Sequence, residues 1–190
     1  TILGAGPLVP ESLAIDMDGG KAIGQKVNKN EYFERGSAYL YQGNYDLAIH
    51  EFNEAIHTKP NFVNAYNFRG FTYCKLGQYD QAIDDYNQVI KLEPASVAAY
   101  GAYSNLGNIY YELKKYNNAI TAYTQAIGLD SQAWSNYYKR GSIYALRKKY
   151  DLAVVDFSLV IELKPDFDQA YDRRGNIYLE QKKYDLALAD

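Results

Sequence analysis

A period of 34 residues constrains the fold of this chain more than any other feature of its sequence. The segment NEYFERGSAYLYQGNYDLAIHEFNEAIHTKP (30–60) aligns without a gap on NAYNFRGFTYCKLGQYDQAIDDYNQVIKLEP (64–94), which superposes Gly36 on Gly70. The series continues through Gly107, Gly141 and Gly175 at spacings of 37, 34 and 34 residues. Five copies therefore run from about Lys29 to the end of the chain, and such a period predicts one small unit stacked repeatedly on itself.

Each copy is predicted to contain two helices. In the second copy, Tyr66, Gly70 and Tyr73 recur at helical spacing, Gly77 interrupts the pattern, and a second apolar face follows before Pro94. Of the 21 tyrosines, 17 fall on four equivalent positions of the repeat, which indicates that they belong to the framework.

The repeated glycine predicts a close helix crossing. Glycine inside a helix costs about 1 kcal/mol relative to alanine, so its recurrence needs a compensating contact. The second helix carries alanine at one position in every copy, and we expect the glycine to pack against it. These alanines are Ala48, Ala82, Ala119, Ala153 and Ala187.

This pattern of aromatic, glycine, alanine and closing proline every 34 residues resembles the tetratricopeptide repeat (TPR) family. The resemblance implies an all-α fold, a right-handed superhelical solenoid of antiparallel helix pairs whose first helices line a concave groove. Residues 29–190 then form five repeats, the last truncated at Asp190, and residues 1–28 form a non-repeat N-terminal segment. Ser131 replaces the closing proline of the third copy. The family has a second alanine later on the second helix, and Val89 and Val160 replace it in the second and fourth copies.

Four arginines before the repeat glycine are predicted to form ion pairs within their helix pairs. Each of these copies carries an acid on its second helix, whereas the third copy has Leu106 and Ala122 instead. Because both positions change together, a structural pair is favoured over a ligand-binding role. The expected pairs are Arg35 with Glu51, Arg69 with Asp85, Arg140 with Asp156 and Arg174 with Asp190.

The opening TILGAGPLVP suggests the start of a dinucleotide-binding fold, but the motif is incomplete. Val9 and Pro10 stand where a third small residue is required, and the repeats leave no room for a strand-helix-strand unit. The apolar residues of 1–28 instead predict a cap on the first pair, a linker, or an arm that lies in a groove of its own or a neighbouring molecule.

Nothing in the pattern predicts catalysis, a cofactor or a metal site. His50 and His57 are expected on an outer surface, and Cys74 as a small packed thiol. A net charge of −3 argues against a nucleic-acid partner, and no apolar run is long enough for direct membrane insertion. A soluble, cytoplasmic protein is favoured, although a single cysteine leaves the compartment open.

Protein binding is the function that remains. We expect the groove to bind an extended or helical segment of a partner, with asparagine amides for its backbone and aromatic rings for its side chains. An equal alternative for Phe68 and Phe71 is packing between repeats. The predicted groove residues are Phe33, Ser37, Asn67, Phe68, Phe71, Asn105, Asn108, Tyr111, Tyr138, Lys139, Ser142, Arg173 and Asn176.

Two other functions stay open. The repeats suit a regulatory or targeting domain of a larger multidomain enzyme. A subclass of the resembled family binds acidic C-terminal tails of chaperones, but Ser104 and Gln169 stand where that pattern has lysines. Self-association through the N-terminal arm or the last repeat is a further expectation.

Two local features give structural expectations. Basic residues occupy equivalent turns in the last three copies (114–115, 147–149 and 182–183), and solvated turns are favoured over an acidic-partner site. The 37-residue step adds almost one helical turn, so the first helix of the third copy should be longer.

Overall fold

A computed structural model of the chain describes residues 29–190, and expectations for residues 1–28 lie outside this range. The described part contains ten helices and no strand. Their bounds are α1 Lys29–Tyr41, α2 Tyr45–Thr58, α3 Val63–Lys75, α4 Tyr79–Leu92, α5 Val97–Glu112, α6 Tyr116–Leu129, α7 Trp134–Leu146, α8 Tyr150–Leu163, α9 Asp168–Glu180 and α10 Tyr184–Ala189.

Consecutive helices pack as five pairs, one for each sequence repeat, and each second helix also packs on the first helix of the next repeat. The predicted all-α solenoid is therefore confirmed. The longer first helix of the third repeat is also confirmed, because α5 has 16 residues where α3 and α7 have 13. None of the helices in residues 29–190 combines the length and the apolarity needed to cross a bilayer.

The repeat glycine lies at a close crossing, but the group that approaches it differs from the predicted one. A Cβ atom on Gly107 would lie 2.4 Å from the ring of Tyr123, and one on Gly36 would lie 2.7 Å from the ring of Phe52. In the first four repeats, the buried aromatic ring one turn after the alanine lies against the glycine, so the prediction that alanine faces it is wrong there. In the fifth repeat, the atoms nearest to a Cβ on Gly175 are Asp190 Cβ and the Ala187 backbone oxygen. The alanines of the first four repeats are nevertheless fully buried.

The predicted ion pairs within the helix pairs are confirmed. Arg69 donates to both carboxylate oxygens of Asp85 at 2.9 and 2.6 Å, and Arg140 donates to those of Asp156 at 2.9 and 2.7 Å. Arg35 pairs with Glu51, and Arg174 pairs with Asp190. In the third repeat, the substituting Leu106 and Ala122 are buried in one apolar cluster.

The turns within the last three helix pairs hold a lysine in the left-handed region of backbone conformation. Lys114, Lys148 and Lys182 have φ angles of 57°, 56° and 57°, whereas the first two repeats have Gly43 and Gly77 there, with φ of 80° and 72°. A side chain in this region is strained, and glycine is not. The three lysines are exposed to solvent, and their backbone conformation is costly.

We expect Lys148→Gly to raise the free energy of unfolding by roughly 0.5–1 kcal/mol, because it removes the left-handed strain at the end of α7. Urea denaturation followed by circular dichroism measures this change. The neighbouring Lys149 has a φ of −87°, so Lys149→Gly is a matched control that should destabilise the protein. A lower urea midpoint for Lys148→Gly would contradict the explanation.

Candidate peptide-binding groove

The first helices of the repeats approach one another more closely than the second helices do. Within residues 29–190, α3 contacts both α1 and α5, and α7 contacts α9, whereas no two second helices make comparable contact. The stack is therefore narrower on the side of the first helices, which form its inner wall. All the groove residues predicted from the sequence lie on these helices.

At the N-terminal end of the inner wall, the predicted aromatic residues form a cluster between the first two repeats. The ring of Phe33 lies 5.0 Å from that of Phe68 and 5.8 Å from that of Phe52, measured between ring centroids. Phe71 is half-buried beside this cluster, with the Lys75 ammonium 5.0 Å from its ring centroid. Phe33 and Phe68 thus contribute to packing between repeats.

In the middle of the wall, Asn108 and Lys139 meet across two repeats. The Lys139 ammonium donates to Asn108 Oδ1 at 2.9 Å, and the same oxygen accepts a bond from the Tyr123 hydroxyl at 2.9 Å. Lys139 forms no salt bridge with a carboxylate of the described residues. Burial lowers the pKa of this ammonium, since no neighbouring negative charge compensates for its loss of water.

Asn136 lies next to this pair and was not among the predicted residues. Its side chain is buried, and Nδ2 donates to the Tyr100 hydroxyl at 3.3 Å and to Ser104 Oγ at 3.0 Å. Its Oδ1 atom has no hydrogen-bond partner among the described residues. The signal was available in the sequence, because the equivalent position is alanine in three other repeats (Ala65, Ala102 and Ala170).

At the C-terminal end, Arg173 and Asn176 are exposed beside a shallow depression. Its volume is about 310 Å³, and its lining includes both residues together with Ala145 and Leu179. Tyr111, from the middle of the wall, is also exposed, at 42% of its surface, and its ring contacts that of Tyr116. These three predicted residues present free surface.

The remaining predicted residues are partly used inside the protein. The hydroxyls of Ser37 and Ser142 donate to the backbone oxygens of Phe33 and Tyr138, one turn earlier. The Tyr138 ring contacts two other rings, those of Phe157 and Phe167. Asn67 and Asn105 are half-buried, and Asn105 bonds to Tyr86, whose pKa is raised mainly by burial.

The other chemical candidates of the sequence do not assemble into a site. His50 and His57 are both exposed on α2. Burial raises the pKa of Cys74 to about 11, so its thiol is protonated near neutral pH. Across residues 29–190, no group of three or more His, Cys, Asp or Glu side chains could hold a metal ion.

Sequence profiles of known families match most of the repeat region. The profile described as tetratricopeptide repeat matches residues 63–96 and 100–132, and a second profile with that description matches residues 135–167. A profile described as TPR repeat matches residues 36–77. No curated protein sequence matches the chain significantly.

Solved structures share the architecture. A crystal structure of MamA protein has 27% sequence identity and a TM-score of 0.76, with 85% of this chain and 86% of that chain covered. MamA 41-end from Desulfovibrio magneticus RS-1 has 17% identity and a TM-score of 0.74, with 85% and 89% covered. YrrB, described as a TPR protein with an unusual peptide-binding site, has 18% identity and a TM-score of 0.71, with 85% and 82% covered.

Proposed function

Because the chain belongs to the tetratricopeptide repeat family, whose helical solenoids are protein-interaction scaffolds, we propose that it binds a segment of a partner protein along the inner wall of its first helices. The segment contacts α5, α7 and α9, and it can be extended or helical. YrrB, which shares the fold, is described as a TPR protein with an unusual peptide-binding site.

The observation that carries this proposal is the Lys139 ammonium. It has three N–H donors, one of which is used by Asn108, and no carboxylate of residues 29–190 pairs with it. A half-buried cation with unused donors is costly for the fold. A backbone carbonyl or a carboxylate of a bound segment would satisfy those donors.

The exposed residues toward the C-terminus extend the proposed contact. Arg173 and Asn176 border the depression on α9 and offer both donors and acceptors to a peptide backbone. By contrast, Phe33 and Phe68 pack against each other, so we assign them to the support of the wall.

The test uses peptides selected from a displayed random library for binding to the full chain. We expect Lys139→Met to weaken the selected peptides at least tenfold, because a central, partly desolvated contact is lost. The same substitution should leave the free energy of unfolding unchanged or raise it by roughly 1 kcal/mol, since it removes an unpaired cation. Calorimetric titration measures the first effect and urea denaturation the second.

A matched pair of surface variants separates the inner wall from the outer surface. Arg173→Ala combined with Asn176→Ala should weaken binding, whereas Asp46→Ala combined with His50→Ala on α2 should change it less than twofold. All four residues are exposed, so neither variant disturbs the core. Peptides that lose affinity only with the α2 variant would refute the proposed groove.

A further inference from the structure

A site that recurs between successive second helices lacks its usual arginine in the third repeat. In the second repeat, the Arg69 guanidinium carbon lies 5.5 and 5.9 Å from the ring centroids of Tyr66 and Tyr73. Arg69 also donates to Asn53 on the preceding second helix at 2.6 Å. Arg140 and Arg174 lie between equivalent tyrosine pairs in the fourth and fifth repeats.

The third repeat keeps the surroundings of this site but not the arginine. Tyr103 and Tyr110 stand at the two tyrosine positions, and Asn87 stands on α4 where Asn53 stands on α2. Leu106 and Ala122 replace the arginine and the acid. These five residues line an open depression of about 330 Å³ between α4 and α6.

The depression combines an apolar floor with an uncharged polar rim. Leu106 and Ala122 are 4% and 5% exposed and form the floor with the two tyrosine rings. Exposed amides of Asn87, Asn118 and Gln125 form the rim. The composition of α6 fits this lining, because YNNAITAYTQAIGL contains no charged residue, whereas α2, α4 and α8 each contain at least three.

We propose that this depression is a second binding site, which takes an uncharged aliphatic side chain from a segment of a partner protein. The side chain lies on Leu106 and Ala122 between the two tyrosine rings. The rim amides donate to and accept from the backbone on either side of it. The site lies on the side of the second helices, and the inference does not depend on the groove of the first helices.

Charge complementarity selects the occupant. In the second, fourth and fifth repeats, the guanidinium at this site is neutralised by a carboxylate within hydrogen-bond distance. Here Ala122 offers no carboxylate, and an unpaired ion removed from water is strongly disfavoured. The nearby Arg147 guanidinium already donates to Asn117 Oδ1, which borders the depression. A neutral apolar side chain has no charge to leave unpaired there, and its own surface and the exposed parts of the two tyrosine rings are removed from water.

The test is a titration of the full, isotope-labelled chain with N-acetyl-leucinamide, followed through the side-chain amide signals of Asn87, Asn118 and Gln125. We expect saturable shifts with a dissociation constant in the tens of millimolar, as one buried leucine side chain allows. N-acetyl-argininamide and N-acetyl-aspartate should bind at least threefold more weakly.

The double variant Leu106→Arg with Ala122→Asp fills the depression with the ion pair that other repeats carry at these positions. It copies the Arg69–Asp85 and Arg140–Asp156 pairs, so we expect it to fold and to weaken leucinamide binding at least tenfold. Thr121→Trp, a change at an exposed rim position, should block the same site without altering the floor.

Three results would overturn the proposal. These are shifts that do not saturate, shifts of equal size in the wild type and both variants, and tighter binding of the arginine derivative than of the leucine derivative. In the last case, the tyrosine pair and Asn87 would be accepting a guanidinium from outside, as their equivalents do within the chain.

Discussion

Replacing Arg140 with leucine is expected to lower the free energy of unfolding by about 4 kcal/mol, because it leaves a buried carboxylate without its cation. Asp156 is 1% exposed, and both of its oxygens accept bonds from Arg140. Urea denaturation at pH 7, followed by circular dichroism, measures the loss.

The chain itself provides the compensating change. Leu106 and Ala122 occupy the equivalent positions in the third repeat, so Arg140→Leu combined with Asp156→Ala should recover most of the stability that the single variant loses. Arg35→Leu is the matched control, since the Arg35 side chain is 38% exposed and its loss should cost less than about 1 kcal/mol. Equal losses for the single and double variants would show that the unpaired carboxylate is not what destabilises the Arg140→Leu variant.

The pH dependence of the Arg140→Leu variant follows from the same pair. Burial raises the pKa of Asp156 above its ordinary value, and the hydrogen bond and charge of Arg140 act against that rise. Without Arg140, the pKa rises further, so the folded state binds a proton at a pH where the unfolded state does not. The stability deficit should therefore shrink as the pH falls from 7 towards 5.

The pairing of the arginines with the acids could be predicted from the sequence, because the third repeat lacks both the arginine and the acid. Leu106 and Ala122 change together within a chain that otherwise keeps both charges, and this covariation indicates contact. The helix bounds were predictable for a related reason, since each repeat supplies an independent instance of the same breaks. The five repeats could thus be compared with one another, as homologous sequences are compared in an alignment.

The partner of the repeat glycine could not be predicted by this route. Ala48 and Phe52 are four residues apart, so they lie on the same face of α2, and both are fully buried. The periodic pattern identifies that face but not which turn of it crosses Gly36. Only the relative shift of the two helices decides this, and it places the Phe52 ring against the glycine.

The polar contacts of the inner wall were also beyond the repeat pattern. Asn108 and Lys139 belong to successive repeats, and their distance depends on the angle at which one helix pair packs on the next. Residue spacing within a repeat does not determine that angle. Asn136 at an alanine position was the one local sign that the third and fourth repeats meet through polar groups. The groove residues as a set remain a prediction.

Replacing Gly107 with alanine is expected to have the second large effect. The added Cβ would lie 2.4, 2.6 and 2.8 Å from three atoms of the Tyr123 ring, which is 2% exposed and bonded through its hydroxyl to Asn108. The ring cannot move aside without breaking that bond and repacking the cluster around it. We expect a loss of about 3 kcal/mol, or a fall in melting temperature of roughly 10 °C.

Gly101 offers a matched control on the same helix. A Cβ atom there meets nothing within 4 Å, so Gly101→Ala should stabilise α5 by roughly 1 kcal/mol through helix propensity alone. The two variants make the same chemical change in one helix and should shift the melting temperature in opposite directions. If both raised it, the ring of Tyr123 would have to be free to move, and a close crossing could not explain why glycine recurs at this position in every repeat.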